Sequence, residues 1–262
     1  MIGRVLTIAG SDSGGGAGIQ ADIKTITMHG CYAMSVITAL TAQNTCGVTG
    51  ILEVPPEFVA KQMDAVFPDL KPEAVKIGMV SGAALAHIIA EKLKEYRPQH
   101  LVIDPVMIST SGHRLLRQDA MDTLTAELLP LADVLTPNLP EAEELTGMTI
   151  RDIPAMREAA ALLAEKFDAA VLVKGGHLTD TATDVLCENG KVTELPAVRV
   201  DTSNTHGTGC TLSAAIASNL SKGMSVMVST CAAKGYLYSA LRAGFDIGEG
   251  SGPLLHNFNL TV

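Results

Sequence analysis

Short apolar, β-branched runs alternate with helical stretches along the whole chain, and this alternation limits the folds open to it. RVLTIA (4–9), SVITAL (35–40), AVKIGM (74–79), HLVID (100–104), DVLT (133–136) and AVLVK (170–174) read as strands. They are nearly all apolar, as expected of parallel strands covered on both faces. Helical stretches fall between them at about 17–29, 56–67, 82–96, 116–129, 139–146 and 154–167, and two long helices, about 208–221 and 224–243, follow. The rhythm predicts an α/β fold: a doubly wound, mostly parallel central sheet with helices on both faces and right-handed crossovers. DVLCENGKVTELPAVRV (184–200) breaks the rhythm. Its ENGK turn between two β-like runs predicts a hairpin at a sheet edge. No low-complexity linker and no internal repeat divides the 262 residues, so 1–262 is read as a single domain.

Open α/β sheets bind ligands beyond the carboxyl ends of their strands. Polar and glycine-rich clusters stand there: GSDSGGGAG, TAQNT, DPVMISTSG, TPNLPE and KGGH. Composition narrows what that end can bind. Aromatic residues are 3% of the chain, Trp is absent and the net charge is -9. Stacking platforms are few and a basic footprint is lacking, so nucleic acid is an unsuitable partner. The five cysteines are odd in number and form no CxxC pair, which reads as reduced thiols in a cytoplasmic protein; Cys31, Cys187 and Cys231 read as small core residues. The apolar stretch near the N-terminus is too short for a signal peptide, and no apolar run approaches membrane-spanning length.

GAGIQA (16–21) follows a strand and opens a helix, matching a dinucleotide-binding fingerprint. Such a site wants an acidic residue about 20 positions on. Between Asp22 and Glu53 there is none, and no Arg takes its place. The nicotinamide reading is therefore set aside.

The second glycine loop, Asn204-Thr205-His206-Gly207-Thr208-Gly209-Cys210, leads into the apolar helix TLSAAIASNL. A helix start presents unpaired N–H groups and a partial positive charge. Glycines there allow an anion to approach the backbone, which suits charge developing on a phosphoryl group in transfer. A plain glycine turn into a packed helix is the other reading, and the loop alone leaves it open. A thiol at that helix start, Cys210, is expected to have a lowered pKa and to stand where a base would meet a hydroxyl. Asn138 and Glu141 in TPNLPEAEEL offer oxygens suited to Mg²⁺, or else an ordinary helix cap. Lys174, closing an apolar strand before two glycines, reads as a phosphate contact.

Taken together, LTIAGSDSGGGAGIQADIKT, VITALTAQNT, KIGM, IDPVM, TPNLPEAEEL, KGGH, NTHGTGCTLSAA and GSGPLLH resemble the ribokinase-like kinases over nearly the whole chain. Within them the chain is most similar to the hydroxymethylpyrimidine/phosphomethylpyrimidine kinases of thiamine biosynthesis. Gly14 departs from the family, which more often has Ser there. The resemblance implies ATP and Mg²⁺ as cofactors, two successive phosphorylations of 4-amino-5-hydroxymethyl-2-methylpyrimidine, and a homodimer. It implies that Gly207, Gly209 and Cys210 form the anion hole and catalytic position. Asn138 and Glu141 would organise Mg²⁺, and Lys174, Asn138 and Thr208 would meet ATP. Gln43, Asp22, Met79 and Gly10 would meet the pyrimidine, with GSDSGGGAG closing over it. A pyridoxal kinase of the same fold is the alternative. Gln43 speaks for the pyrimidine, because an amide matches an exocyclic N–H beside a ring nitrogen. A sensor that binds without turnover is the reading from another class, and the intact GTGC and NLPE elements weigh against it.

Overall fold

The structure is a computed structural model describing residues 2–107, 118–176, 178, 181–244 and 246–260. Its strands are β1 (Arg4–Asp12), β2 (Tyr32–Asn44), β3 (Gly47–Glu53), β4 (Ala74–Ile77), β5 (His100–Ile103), β6 (Val134–Leu135), β7 (Ala170–Val173), β8 (Asp184–Glu188) and β9 (Lys191–Leu195). They form one sheet in the order β3-β2-β1-β4-β5-β6-β7-β8-β9. Pairings from β2 to β7 are parallel. β3, β8 and β9 pair antiparallel at the two edges. The helices are α1 (Gly18–Met28), α2 (Pro56–Leu70), α3 (Ala83–Tyr96), α4 (Gln118–Thr123), α5 (Leu139–Thr146), α6 (Ile153–Phe167), α7 (Thr208–Leu220) and α8 (Val226–Ala243).

Strand alternation divides the core in two. Leu6, Ile8, Val75, Ile77, Leu101, Ile103, Val171 and Val173 point to one face and pack under α2, α3, α5 and α6. Val5, Ala74, Val102, Val134 and Leu172 point to the other, under α1, α7 and α8. Helix α7 is apolar nearly all round because it lies between the sheet and α8; ten of its residues are buried, Thr211 to Leu220. The same alternation, continued past the apolar stretch, puts Thr7, Lys76, Asp104, Thr136 and Lys174 at the carboxyl ends on the α7 face, and all but Lys174 are fully or almost fully buried. Among the described residues, no helix is long and apolar enough to cross a membrane.

Three expectations change. TAQNT was expected to follow the second strand, but β2 runs on through Asn44 and folds back into β3. GVTGILE lacks a strand's usual signal because Gly47 and Gly50 interrupt it and much of it faces solvent. The helix expected at 116–129 is α4 followed by a π turn, Leu124–Leu128, and a 3₁₀ turn, Leu129–Leu131. Pro130 lacks the N–H that would continue the helical ladder; residues 116 and 117 lie outside those described. Cys231 is exposed on the outer side of α8, since that helix buries little besides Ser229, Thr230, Ala233 and Ala240. The hairpin at the sheet edge is as expected, and its Asn189-Gly190 turn takes the positive φ values, 51° and 73°, that a tight hairpin needs.

The C-terminal segment is held through His256. Its Nδ1 lies 3.2 Å from the Tyr236 hydroxyl of α8 and 3.4 Å from Thr25 Oγ1 of α1, while its buried Nε2 has no partner among the described residues. Burial, and secondarily Lys24, push its pKa from 6.5 down to about 4. An unfolded chain takes up the proton at the ordinary value. Stability from this site is therefore complete above about pH 6.5 and is lost as the pH falls toward 4. The loss amounts to about 3 kcal/mol. His256→Phe should lose correspondingly less stability than the wild type in urea denaturation between these limits. Parallel pH dependences would assign the acid sensitivity to other groups.

Candidate active site

Two glycine loops meet at the start of α7. Gly207, its N-cap, has φ +83°, and a Cβ there would stand 1.9 Å from the carbonyl oxygen of Gly16. A Cβ on Gly16 would stand 2.4 Å from the ring of His206, and one on Gly18 2.2 Å from the Gly10 carbonyl. The loops thus interlock backbone to backbone. This corrects the expectation that the missing side chain of Gly207 leaves room for an anion: Gly16 fills that room. Gly209 is different. A Cβ there would be 3.2 Å from Asp104 Oδ2 and 3.4 Å from Lys174 Nζ, so the first turn of α7 lies directly over that ion pair. Thr208, Gly209 and Cys210 are the first helical residues. They stand at the positive end of the helix, where backbone N–H groups lack intrahelical acceptors.

Charges of alternating sign cross the sheet beneath this turn. Asp22 accepts from Lys76 Nζ at 2.8 and 3.0 Å and from Thr7 at 2.6 Å. Asp104 accepts from Lys174 Nζ at 2.6 Å and from Thr136 at 3.1 Å. Burial alone would lower the pKa of both lysines, but their carboxylate neighbours outweigh it and raise them. Asp22 was expected to line the substrate pocket. It has no accessible surface and its oxygens are engaged, so it lies beneath the site. Asp104, which closes the strand HLVID and pairs with Lys174, was not singled out from sequence; a carboxylate ending an apolar strand was the available signal.

Asn138 and Glu141 form a capping box on α5. Asn138 Oδ1 accepts from Glu141 N at 2.9 Å, and Glu141 Oε2 accepts from Asn138 N at 2.8 Å. The cap and the functional reading thus fall on the same atoms. Lys174 joins them through a β-bridge to Asn138. Burial raises Glu141 to about 7, opposed by Lys174 and assisted by Asp104. A carboxyl so desolvated favours a cation beside it. Among the described residues no three His, Cys, Asp or Glu side chains cluster as a metal cage. The carboxyl of Glu141 and the amide oxygen of Asn138 are hard oxygen donors of the kind that suit Mg²⁺.

The expected fall in the Cys210 pKa is reversed. The residue is half-buried, and desolvation of its thiol raises the pKa. Lys76 and the N–H of Gly18 oppose this, while Asp22 and Asp104 add to it. Position at a helix start does not outweigh the desolvation of the thiol, to which the two carboxylates add.

Met79 flanks Gly10, where a Cβ would come 2.7 Å from its Cε. The Gln43 amide lies 3.1 Å from Thr41 Oγ1 and 3.2 Å from His206 Nε2, and His206 Nε2 lies 3.0 Å from Asp12 Oδ2. Asp12 also accepts from the N–H groups of Gly14, Gly16 and Ala17, which folds the loop around it. Burial would raise the Asp12 pKa, but His206 and these N–H groups bring it below the usual value. Neither Asp12 nor His206 was singled out from sequence; a carboxylate followed by three glycines was the signal. Segment 250–252 ties the site together, His206 N donating to Gly252 O at 3.1 Å and Ser251 N to Thr45 O at 3.0 Å. Residues 108–112 of DPVMISTSG, and His177 of KGGH, lie outside those described.

A parallel sheet whose strand ends carry paired lysines and carboxylates beneath a glycine-rich helix start defines a small-molecule kinase of the ribokinase-like fold. The chain belongs to the phosphomethylpyrimidine kinase family, whose sequence profile matches residues 12–255. It is 52% identical to a hydroxymethylpyrimidine/phosphomethylpyrimidine kinase of Rhizobium meliloti, over 98% of this chain and 97% of that one. The crystal structure of phosphomethylpyrimidine kinase from Clostridium difficile matches with a TM-score of 0.83 at 45% identity, covering 91% of this chain and 99% of the other. An ADP complex of Bacillus subtilis pyridoxal kinase matches with a TM-score of 0.91 at 33% identity, covering 98% of both chains.

The two α7 glycines should respond differently. Gly207→Ala combines a left-handed backbone with a clash against Gly16 and should cost at least about 2 kcal/mol of stability. Gly209→Ala should change stability by less than about 1 kcal/mol. By displacing the Lys174–Asp104 pair, however, it should slow ADP formation on the order of 10²-fold. Denaturant titrations with steady-state rates on both variants make the comparison. Equal loss of stability in the two would contradict the geometry.

Proposed function

We propose that this chain transfers the γ-phosphoryl group of ATP to the hydroxymethyl oxygen of 4-amino-5-hydroxymethyl-2-methylpyrimidine, and then phosphorylates the monophosphate in a second turnover. The observation that carries the reading is the stacking of the α7 start over the Lys174–Asp104 pair. Phosphoryl transfer needs positioning and charge stabilisation more than covalent help. N–H groups of the first α7 turn and the Lys174 ammonium supply both from one side. In the first step the alcohol oxygen bonds to phosphorus, the bond to the ADP oxygen breaks, and the alcohol proton is released. Lys174, Asn138 and Thr208 hold the triphosphate. Glu141 and Asn138 would hold Mg²⁺, which would supply neutralisation of phosphate charge. Gln43, with Met79 and Gly10, holds the pyrimidine. The same reading makes the chain one kinase unit, a homodimer and cytoplasmic, of which sedimentation velocity tests the second.

A coupled ADP-release assay separates enzyme from binder, and pyrimidine from pyridoxal. The pyrimidine should have the higher kcat/KM; a higher value for pyridoxal would overturn the assignment. Glu141→Gln preserves the capping box and removes the charge. It should raise the Mg²⁺ concentration giving half-maximal rate, and an unchanged titration would return Glu141 to a capping role alone.

Cys210 tests the proton's route. The alcohol must lose a proton in the first step, whereas the monophosphate is mostly ionised at neutral pH. If the thiolate is the base, Cys210→Ala should slow the first step by about 10²-fold or more and the second only mildly. Because the thiol's pKa is raised, few thiolates exist at neutral pH. The first-step rate should therefore still be rising with pH at about 9. Single-turnover rates that fall equally for both substrates would leave Cys210 with a shaping role only.

A further inference from the structure

We propose that His206 is a positioning residue for substrate recognition: held by Asp12, it fixes the orientation of the Gln43 amide and so selects the hydrogen-bonding edge a substrate must present. The inference rests on the reading of Gln43 as a substrate-binding residue and deepens it.

The argument is an accounting of donors and acceptors. The Asp12 side chain is buried, and its carboxylate takes N–H groups from Gly14 at 2.8 Å, Gly16 at 3.0 Å and Ala17 at 2.9 Å. An ionised carboxylate only accepts. His206 Nε2, 3.0 Å from Asp12 Oδ2, must therefore carry a hydrogen and donate it. A protonated ring nitrogen has no lone pair left to accept with. The Gln43 amide atom 3.2 Å from that nitrogen must then be the carbonyl oxygen.

The other end of the amide closes the chain. In one orientation the amide nitrogen faces the ring and its oxygen faces Thr41; turned by a half rotation, the two exchange places at the same distances. The Thr41 hydroxyl lies 3.0 Å from the Ser11 carbonyl and donates its single hydrogen there. It can then only accept from Gln43, which again requires the amide nitrogen on the Thr41 side. The opposite orientation sets N–H against N–H at the ring and leaves two acceptors competing for one hydroxyl hydrogen. The one hydrogen of His206 Nε2 is shared between Asp12 Oδ2 and the Gln43 oxygen, Gln43 donates to Thr41 and Thr41 to Ser11, so a single amide orientation agrees with both neighbours. What remains of the half-buried amide is one N–H and one carbonyl lone pair, in a fixed order. That order complements an exocyclic amine beside a ring nitrogen.

His206→Phe keeps the ring packed over Gly16 and removes the N–H. The probes are 4-amino-5-hydroxymethyl-2-methylpyrimidine and the same pyrimidine without its amine, with dissociation constants measured by titration calorimetry. The wild type should prefer the amine, and in His206→Phe this preference should fall about tenfold, the size of one hydrogen bond. ATP affinity should change little. His206→Gln, which retains an N–H donor, should recover the preference. In a Gln43→Ala background, His206→Phe should have no further effect on it. Nitrogen-15 NMR should show His206 Nε2 protonated. Equal weakening of both ligands, an unchanged preference, or an unprotonated Nε2 would overturn the proposal. Should His206→Phe fail to fold, His206→Leu carries the same comparison. If Gln43→Ala keeps the full preference for the amine, the assignment of Gln43 fails; if Gln43→Ala loses it and His206→Phe keeps it, only the role of His206 fails.

Discussion

The site depends on charges that the fold buries in compensating pairs. Lys76 and Asp22 have no accessible surface, and Asp104 has almost none. Removing such ions from water costs several kcal/mol each, and only close partners with further hydrogen bonds offset it. Each carboxylate here has such a set: Lys76 and Thr7 on Asp22, Lys174 and Thr136 on Asp104. The donors come from neighbouring strands, so the pairs form only when the strands are in register. Thr7 on β1 stands opposite Lys76 on β4. An arrangement of this kind adds little net stability. It does give α7 a floor of fixed charge, and a polyanion arriving above meets cations that need no rearrangement.

Burial, assisted by the neighbouring carboxylates, explains two features. Glu141 keeps its proton up to about neutral pH because burial and Asp104 act against ionisation. Burial raises the Cys210 pKa, and Asp22 and Asp104 add to it against Lys76. A helix start by itself would have favoured the thiolate. Desolvation decides otherwise.

Much of this was legible in the sequence, and the missing parts share a cause. Apolar runs read as strands because β1, β4, β5 and β7 are covered on both faces, which makes them continuous in hydrophobicity. β3 was not legible, since Gly47 and Gly50 interrupt it and solvent covers much of it. The glycines of the second loop marked the α7 start correctly, but Gly207 and Gly209 look alike in sequence and serve different neighbours, Gly16 in one case and the Lys174–Asp104 pair in the other. Asp22 could not be told from a pocket residue because Lys76, fifty-four positions on, decides its role. Asp12 and His206 are 194 positions apart, so their pairing was likewise out of reach. Local patterning specifies elements; which side chains face one another across the sheet follows only from register.

The interlocked loops link recognition to catalysis. His206 touches Gln43 and Asp12 through its ring, and the next residue, Gly207, caps the helix that forms the anion site. Gly16, folded by Asp12, presses its carbonyl into the space beside Gly207. The Gln43 amide, the Asp12 loop and the start of α7 are therefore joined through one short stretch of chain. Backbone packed this closely transmits small displacements, because no side chain is available to absorb them. A shift at the His206 ring cannot be taken up at Gly207 without moving Gly16 as well, so the two glycine loops hold one another in place.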